Sequence, residues 1–177
     1  MAQGKERLNR EFSAGGVVFK KTRDPKGNEV KTLWLVTKSA PSKLFPYSYW
    51  RLPKGWLDDD KRLKGPGPKT LGKIKASQDD LKRAALKEVE EEGGVKARII
   101  AKIGTTSFFK TFKGKKTLKF VTFYLMEWLK DLPQGFAFET EEVSWLTYGQ
   151  ARKKLSFHQE KEILDKAEKI LSQRNLN

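Results

Sequence analysis

A helix-patterned segment, residues 77–93, interrupts two long stretches of β pattern, and that order restricts the architectures open to the chain. Ser77 suits the N-cap, Asp79 and Asp80 suit the positive end of a helix dipole, and Leu81, Ala84, Ala85, Leu86 and Val89 supply an apolar side. The Gly93-Gly94 pair then stops the helix.

Upstream, residues 13–21 and 32–37 are β-rich, and Asp24-Pro25-Lys26-Gly27-Asn28 between them carries turn chemistry, so the pair reads as a β-hairpin. Residues 40–53, rich in Pro, Ser and aromatics, read as a loop entering a short strand. Residues 61–75 contain no acid and alternate Gly with Pro, which predicts an exposed basic loop inserted before the helix. Downstream, 97–109 and 117–128 are β-rich and joined by a Lys-Gly turn; a further strand follows near 143–146 and an amphipathic helix over 160–171. With no internal repeat and 177 residues in all, the expectation is a single α+β domain over 1–177, a mixed β-sheet covered by helices.

Composition narrows the chemistry. There is no cysteine and a single histidine, His158, so thiolate and polyhistidine metal sites are excluded and any metal must be held by oxygen. The 37 Lys and Arg against 22 Asp and Glu, a formal net charge of +15, attract phosphate-rich partners. The N-terminus carries no apolar signal stretch and no run is long enough to span a bilayer, so the expected location is cytoplasmic, with no membrane partner.

On a helix, positions three and four apart share a face, so Glu88, Glu91 and Glu92 project together while Glu90 points elsewhere. An acidic helical run is commonly a solvated face, since Glu is a strong helix former. Three carboxylates in one place also repel one another, and a hard cation such as Mg²⁺ or Mn²⁺ relieves that repulsion.

The neighbourhood favours the second reading. The helix is preceded by Leu52-Pro53-Lys54-Gly55, and its end reads Lys87-Glu88-Val89-Glu90-Glu91-Glu92-Gly93-Gly94-Val95. Together these resemble the Nudix box, whose pattern is Gly, five residues, Glu, seven residues, then Arg-Glu-apolar-x-Glu-Glu-x-Gly-apolar. Lys87 stands where the pattern has Arg, and the basic loop stretches the spacing from Gly55. Asp79 or one of Asp58, Asp59 and Asp60 takes the place of the first acid. The likeness runs from Ser13-Ala14-Gly15-Gly16 to the C-terminal helix.

What the resemblance implies is the Nudix fold, an α/β/α sandwich, and a magnesium-dependent pyrophosphohydrolase in which Glu88, Glu91 and Glu92 hold the metal. One of Glu91, Glu92 or Glu142 would orient or deprotonate the water. Trp50-Arg51-Leu52-Pro53-Lys54-Gly55 looks like the loop of diadenosine polyphosphate hydrolases, which implies a dinucleoside or nucleoside polyphosphate as the nucleotide substrate. Arg51, Lys54, Gly55, Lys38 and Lys119 would then bind phosphates, and Tyr49, Phe109 or Tyr124 would stack on a base, with Tyr124, on a strand, equally open to a place in the core. The basic tracts 61–75 and 110–119 raise a second option, the 5′ end of an RNA. An inositol pyrophosphate and a catalytically silent binding module are the remaining readings.

Overall fold

The computed structural model describes residues 8–43, 45–60, 62 and 64–175. A mixed sheet has the core strand order β3-β2-β1-β8-β7, built from β1 (Asn9–Arg23), β2 (Val30–Ser39), β3 (Trp50–Arg51), β7 (Val95–Phe112) and β8 (Lys115–Asp131). The short strand β4 (Lys54–Trp56) pairs antiparallel with β1, and β9 (Thr140–Leu146) with β2. The sheet is mixed because β1 lies parallel to β8, from Asn9 opposite Thr117 to Phe19 opposite Glu127, while the other pairings are antiparallel.

Alternation along the strands builds two cores. Val17, Phe19, Trp34, Val36, Val121, Phe123 and Leu125 face α2 (Tyr148–Lys154) and α3 (His158–Asn175), where Ala151, Ile163, Leu164, Ala167 and Leu171 are buried. The alternate residues Ala14, Val18, Leu35, Tyr124 and Met126 pack under α1 (Gln78–Gly93) through Ala84, Ala85 and Val89. Period-2 strands between helices of period 3.6 give the α/β/α sandwich that the sequence predicts.

The ends of α1 follow from local sequence. The Ser77 side chain accepts from the Asp80 N–H while the Asp80 carboxylate accepts from the Ser77 N–H, a reciprocal capping box. At the other end Gly94 adopts φ of 67°, a left-handed conformation open to glycine, and its N–H reaches the Glu90 carbonyl.

Two expectations need correction. The insertion is not simply an exposed loop. Its Gly65–Pro66 (β6) pairs with Asp59–Asp60 (β5) just before it, and its Thr70 is fully buried. The Thr70 hydroxyl accepts from the N–H groups of Leu57 and Asp58 and donates to the Asp58 carbonyl, while the Asp58 carboxylate accepts from the N–H groups of Lys69 and Thr70. Phe12 of β1 donates its N–H to the Thr70 carbonyl, which docks the segment on the sheet. Lys61 and Leu63 lie outside the described residues. The second correction is Tyr124, which is buried beneath α1 and unable to stack on a ligand. Among the described residues no helix is long and apolar enough to cross a membrane.

Candidate active site

The pairing of β4 with β1 sets Gly55 opposite Ala14 and Lys54 opposite Gly15, directly beneath the last turns of α1. Glu88 descends from that helix onto Gly55 so closely that a methyl group there would overlap its carboxyl. Glycine at 55 is what gives this carboxylate room. Glu88 is buried, and its pKa is pushed up to about 8, first by desolvation and then by the charge of Glu92; Lys87 opposes the shift.

Glu92, one turn on, accepts the Lys54 N–H at 2.8 Å. Burial raises its pKa as well, against the pull of Lys54 and Arg51. Glu91 is half-exposed, with the Lys87 ammonium 3.5 Å from its carboxylate and 3.6 Å from that of Asp59. Asp59 therefore meets the residue that stands in for the box arginine, Asp58 organises the insertion, and Asp79 stays exposed at the start of α1.

Cations face the acids. Thr37, Arg51, Lys54, Glu92, Lys119 and Glu139 are among the residues lining a small cleft of about 80 Å³. Lys54 is buried with its ammonium 2.6 Å from Glu160 of α3. Desolvation lowers its pKa to about 8, with Glu160 opposing the shift. Arg51 lies over the Phe157 ring, and its buried Nε, 3.7 Å from Glu160, has no hydrogen-bond partner among the described residues. Lys119 pairs with Glu11 at 3.2 Å.

Other candidates lie elsewhere. Lys38 pairs with Glu141, and Tyr49 packs its ring against Phe157. Phe109 is exposed at the far end of the β7–β8 hairpin. Glu142 is exposed on β9 and accepts from the Ser144 hydroxyl. The late acid whose charge bears on both Glu88 and Glu92 is instead Glu139, three residues earlier and in the same cleft. Sequence reasoning missed it because the loop that carries it is placed by long-range bonds. Ala137 donates its N–H to the Glu91 carbonyl, Leu132 to that of Gly94, and the Thr140 hydroxyl to that of Glu92.

Comparison with known proteins identifies the family and the fold. A model of the NUDIX domain matches residues 14–167. The chain belongs to the NUDIX domain family. It is 24% identical over 161 residues to the "Putative mutator protein MutT4" of Mycobacterium tuberculosis, covering 91% of this chain and 56% of that protein. The chain thus spans little more than half the length of this curated relative. Among solved structures it resembles the Ap4A hydrolase binary complex of Caenorhabditis elegans, with a TM-score of 0.57, 20% identity, and coverage of 92% of this chain and 98% of that one. The MutT protein of Methanosarcina mazei Go1 gives a TM-score of 0.56 at 16% identity, covering 92% and 96%. At these identities the likeness shows the fold.

The chemistry of the donors can be tested against a divalent cation. Among the described residues no three acidic or histidine side chains stand close enough to form a ready metal cage. Magnesium does not demand one, since it binds through one or two carboxylates together with water and substrate phosphates. Glu88 and Glu92, two carboxylates of which the second raises the cost of ionising the first, would fit that donor set, with Glu91 at its solvent side.

Proposed function

We propose that this cleft is the catalytic centre of a pyrophosphohydrolase that cleaves a phosphoanhydride bond in a nucleoside diphosphate-linked substrate, first of all a dinucleoside or nucleoside polyphosphate. The observation that carries the reading is the half-buried carboxylate of Glu92 facing Arg51, Lys54 and Lys119 in one cleft, with the buried carboxylate of Glu88 close enough for the two charges to act on each other. A surface that bound only anions would gain nothing from acids whose ionisation burial opposes.

Each side chain has a physical task. Arg51 and Lys119 neutralise phosphate oxygens, and the Arg51 Nε supplies a donor already desolvated. Lys54 fixes the cleft floor through Glu160 and holds Glu92 by its N–H. Glu88, Glu91 and Glu92 would hold Mg²⁺, or Mn²⁺ in its place, and Glu91 or Glu92 would accept the proton of the attacking water. Such a cation, when bound, would supply polarisation of phosphoryl oxygens and a lowered pKa for water. A resemblance to the C. elegans Ap4A hydrolase supports the choice of substrate class.

The test is a hydrolysis panel in Mg²⁺ covering diadenosine polyphosphates, nucleoside triphosphates, nucleotide sugars, inositol pyrophosphates and 5′-triphosphate RNA. Turnover of a diadenosine or nucleoside polyphosphate is expected, and Glu91→Gln or Glu92→Gln should reduce it by about 10² or more with the fold retained. Selective turnover of RNA or of an inositol pyrophosphate would replace the substrate, and a blank panel would overturn the enzymatic reading in favour of a binding module.

A further inference from the structure

Lys69 and Lys75 of the basic insertion and Lys116 of the β7–β8 hairpin lie away from the cleft, on the sheet face that α1 covers. Strand parity establishes the face. Phe12 is in register with Phe120, and the later same-parity residues of β8, Tyr124 and Met126, belong to the core under α1. Lys119, one residue off in parity, looks the other way, into the cleft.

Beyond the N-terminal end of α1 a cavity of about 400 Å³ opens between the insertion and the sheet. Its walls include Leu57, Ile74, Leu81 and the rings of Phe12 and Phe120, which stack 5.2 Å apart and 12° from parallel. Lys69, Lys75 and Lys102 also line it. Lys69 is held by Asp80 at 2.7 Å, whereas Lys75 and Lys102 form no ion pair among the described residues. The hydroxyls of Thr105 and Thr122 share a 2.9 Å hydrogen bond at the cavity.

The same face continues outward along the hairpin. Ser107 is opposite Phe120 and Phe109 opposite Leu118, so Phe109 stands one same-face step, roughly 7 Å, beyond the cavity. Its ring is 55% exposed, with the Lys116 ammonium 4.1 Å above it. From Lys116 to Thr122 the strand residues on this face, with their partners on β1 and β7, include no carboxylate. Solubility explains lysines on a surface; it does not explain an exposed phenylalanine beside an apolar hole.

We propose that this face is a binding site for single-stranded nucleic acid, taking one base into the Phe12–Phe120 cavity and the flanking phosphates onto Lys75, Lys102 and Lys116. Aromatic walls stack on any base, contributing about 1–3 kcal/mol each, and ammonium groups neutralise the backbone. Hydroxyls at Thr105 and Thr122 meet the base edge. The cavity falls in the range of roughly 300–1,000 Å³ usual for ligand pockets. A free nucleotide offers the same base and phosphate, but only a strand reaches both the cavity and the Phe109–Lys116 step. None of the cleft acids takes part, so the site stands or falls apart from the hydrolase reading.

Fluorescence anisotropy with a labelled oligouridylate of about 12 nucleotides, within the usual footprint of roughly 4–16, tests it in EDTA, where hydrolysis is suppressed. Three phosphate contacts at about 0.7 each give a log–log salt slope near −2, so wild-type affinity should fall about 20-fold between 50 and 200 mM salt. The triple variant Lys75→Ala, Lys102→Ala, Lys116→Ala should bind at least tenfold more weakly at low salt and lose most of that slope. Phe109→Ala should weaken binding with the slope kept. In all of these the Mg²⁺-dependent turnover of the small nucleotide should be unchanged. Absence of wild-type binding at 50 mM salt, a triple variant that binds like wild type, or UMP competing as well as the oligomer would each overturn the proposal. Binding without any hydrolytic activity would leave it standing and sink the proposed function alone.

Discussion

Lys54→Met isolates the buried ion pair beneath the cleft. The Lys54 ammonium lies 2.6 Å from Glu160, both side chains are buried, and Glu160 also accepts the Leu52 N–H at 2.7 Å. Removing one partner of a buried pair leaves an uncompensated charge and costs about 3–5 kcal/mol. Arg51, 3.7 Å from the same carboxylate, places the expected loss at the lower end. For a domain of this size, about 3–5 kcal/mol corresponds to a fall in Tm of roughly 6–20 °C. The pH dependence has a definite sign. Folded Lys54 releases its proton at about 8 and its ordinary value is 10.5, so between these the unfolded chain binds more protons and stability rises with pH. At about 1.4 kcal/mol per unit the increment is about 3 kcal/mol, and it should vanish from the variant. Urea unfolding in EDTA at pH 7, 8 and 10.5 measures both quantities, and Lys54→Met with Glu160→Leu should recover much of the loss. A single variant within about 1 kcal/mol of wild type at pH 7, or one that keeps the alkaline increment, would refute the reasoning.

Two further outcomes follow from close packing. Gly55→Ala forces a methyl group into the Glu88 carboxyl, so it should destabilise by about 1–3 kcal/mol and abolish turnover; a wild-type kcat would show that Glu88 is free to move. Thr70→Val removes the hydroxyl that ties the insertion to Leu57 and Asp58, and a loss of about 1–3 kcal/mol in denaturant unfolding is expected, with faster proteolysis within 61–75; unchanged values on both counts would make the insertion a passive loop after all.

The legible parts of the molecule are those in which neighbours in sequence determine the outcome. Ser77 with Asp80, and Gly93 with Gly94, set the ends of α1 through bonds spanning three or four residues, and alternation marked the strands. α2 was missed, although Thr147 with Gln150 three residues on is a capping signal that could have located its start. Alternation decides between the two readings open for Tyr124, since it shares parity with Met126 of the core. No local pattern announces Glu139 beside α1, or Glu11 beside Lys119, because the partners are far apart in sequence. Thr70 was equally silent: its burial depends on Asp58 and Phe12, and Thr is an ordinary loop residue until those arrive.

The parallel pairing of β1 with β8 also governs the order in which the chain can be assembled. It joins positions more than 100 residues apart, and loops of that length close slowly. Until β8 has emerged during synthesis, Ala14-Gly15-Gly16-Val17-Val18-Phe19 meets only β4, at Ala14 and Gly15, and β2, at Phe19, on one side and has an open edge on the other. An apolar strand waiting with one edge unpaired can recruit another copy of itself. Truncations that stop short of residue 117 should therefore aggregate rather than persist as smaller folded units, which appear as pellet instead of supernatant in an expression series.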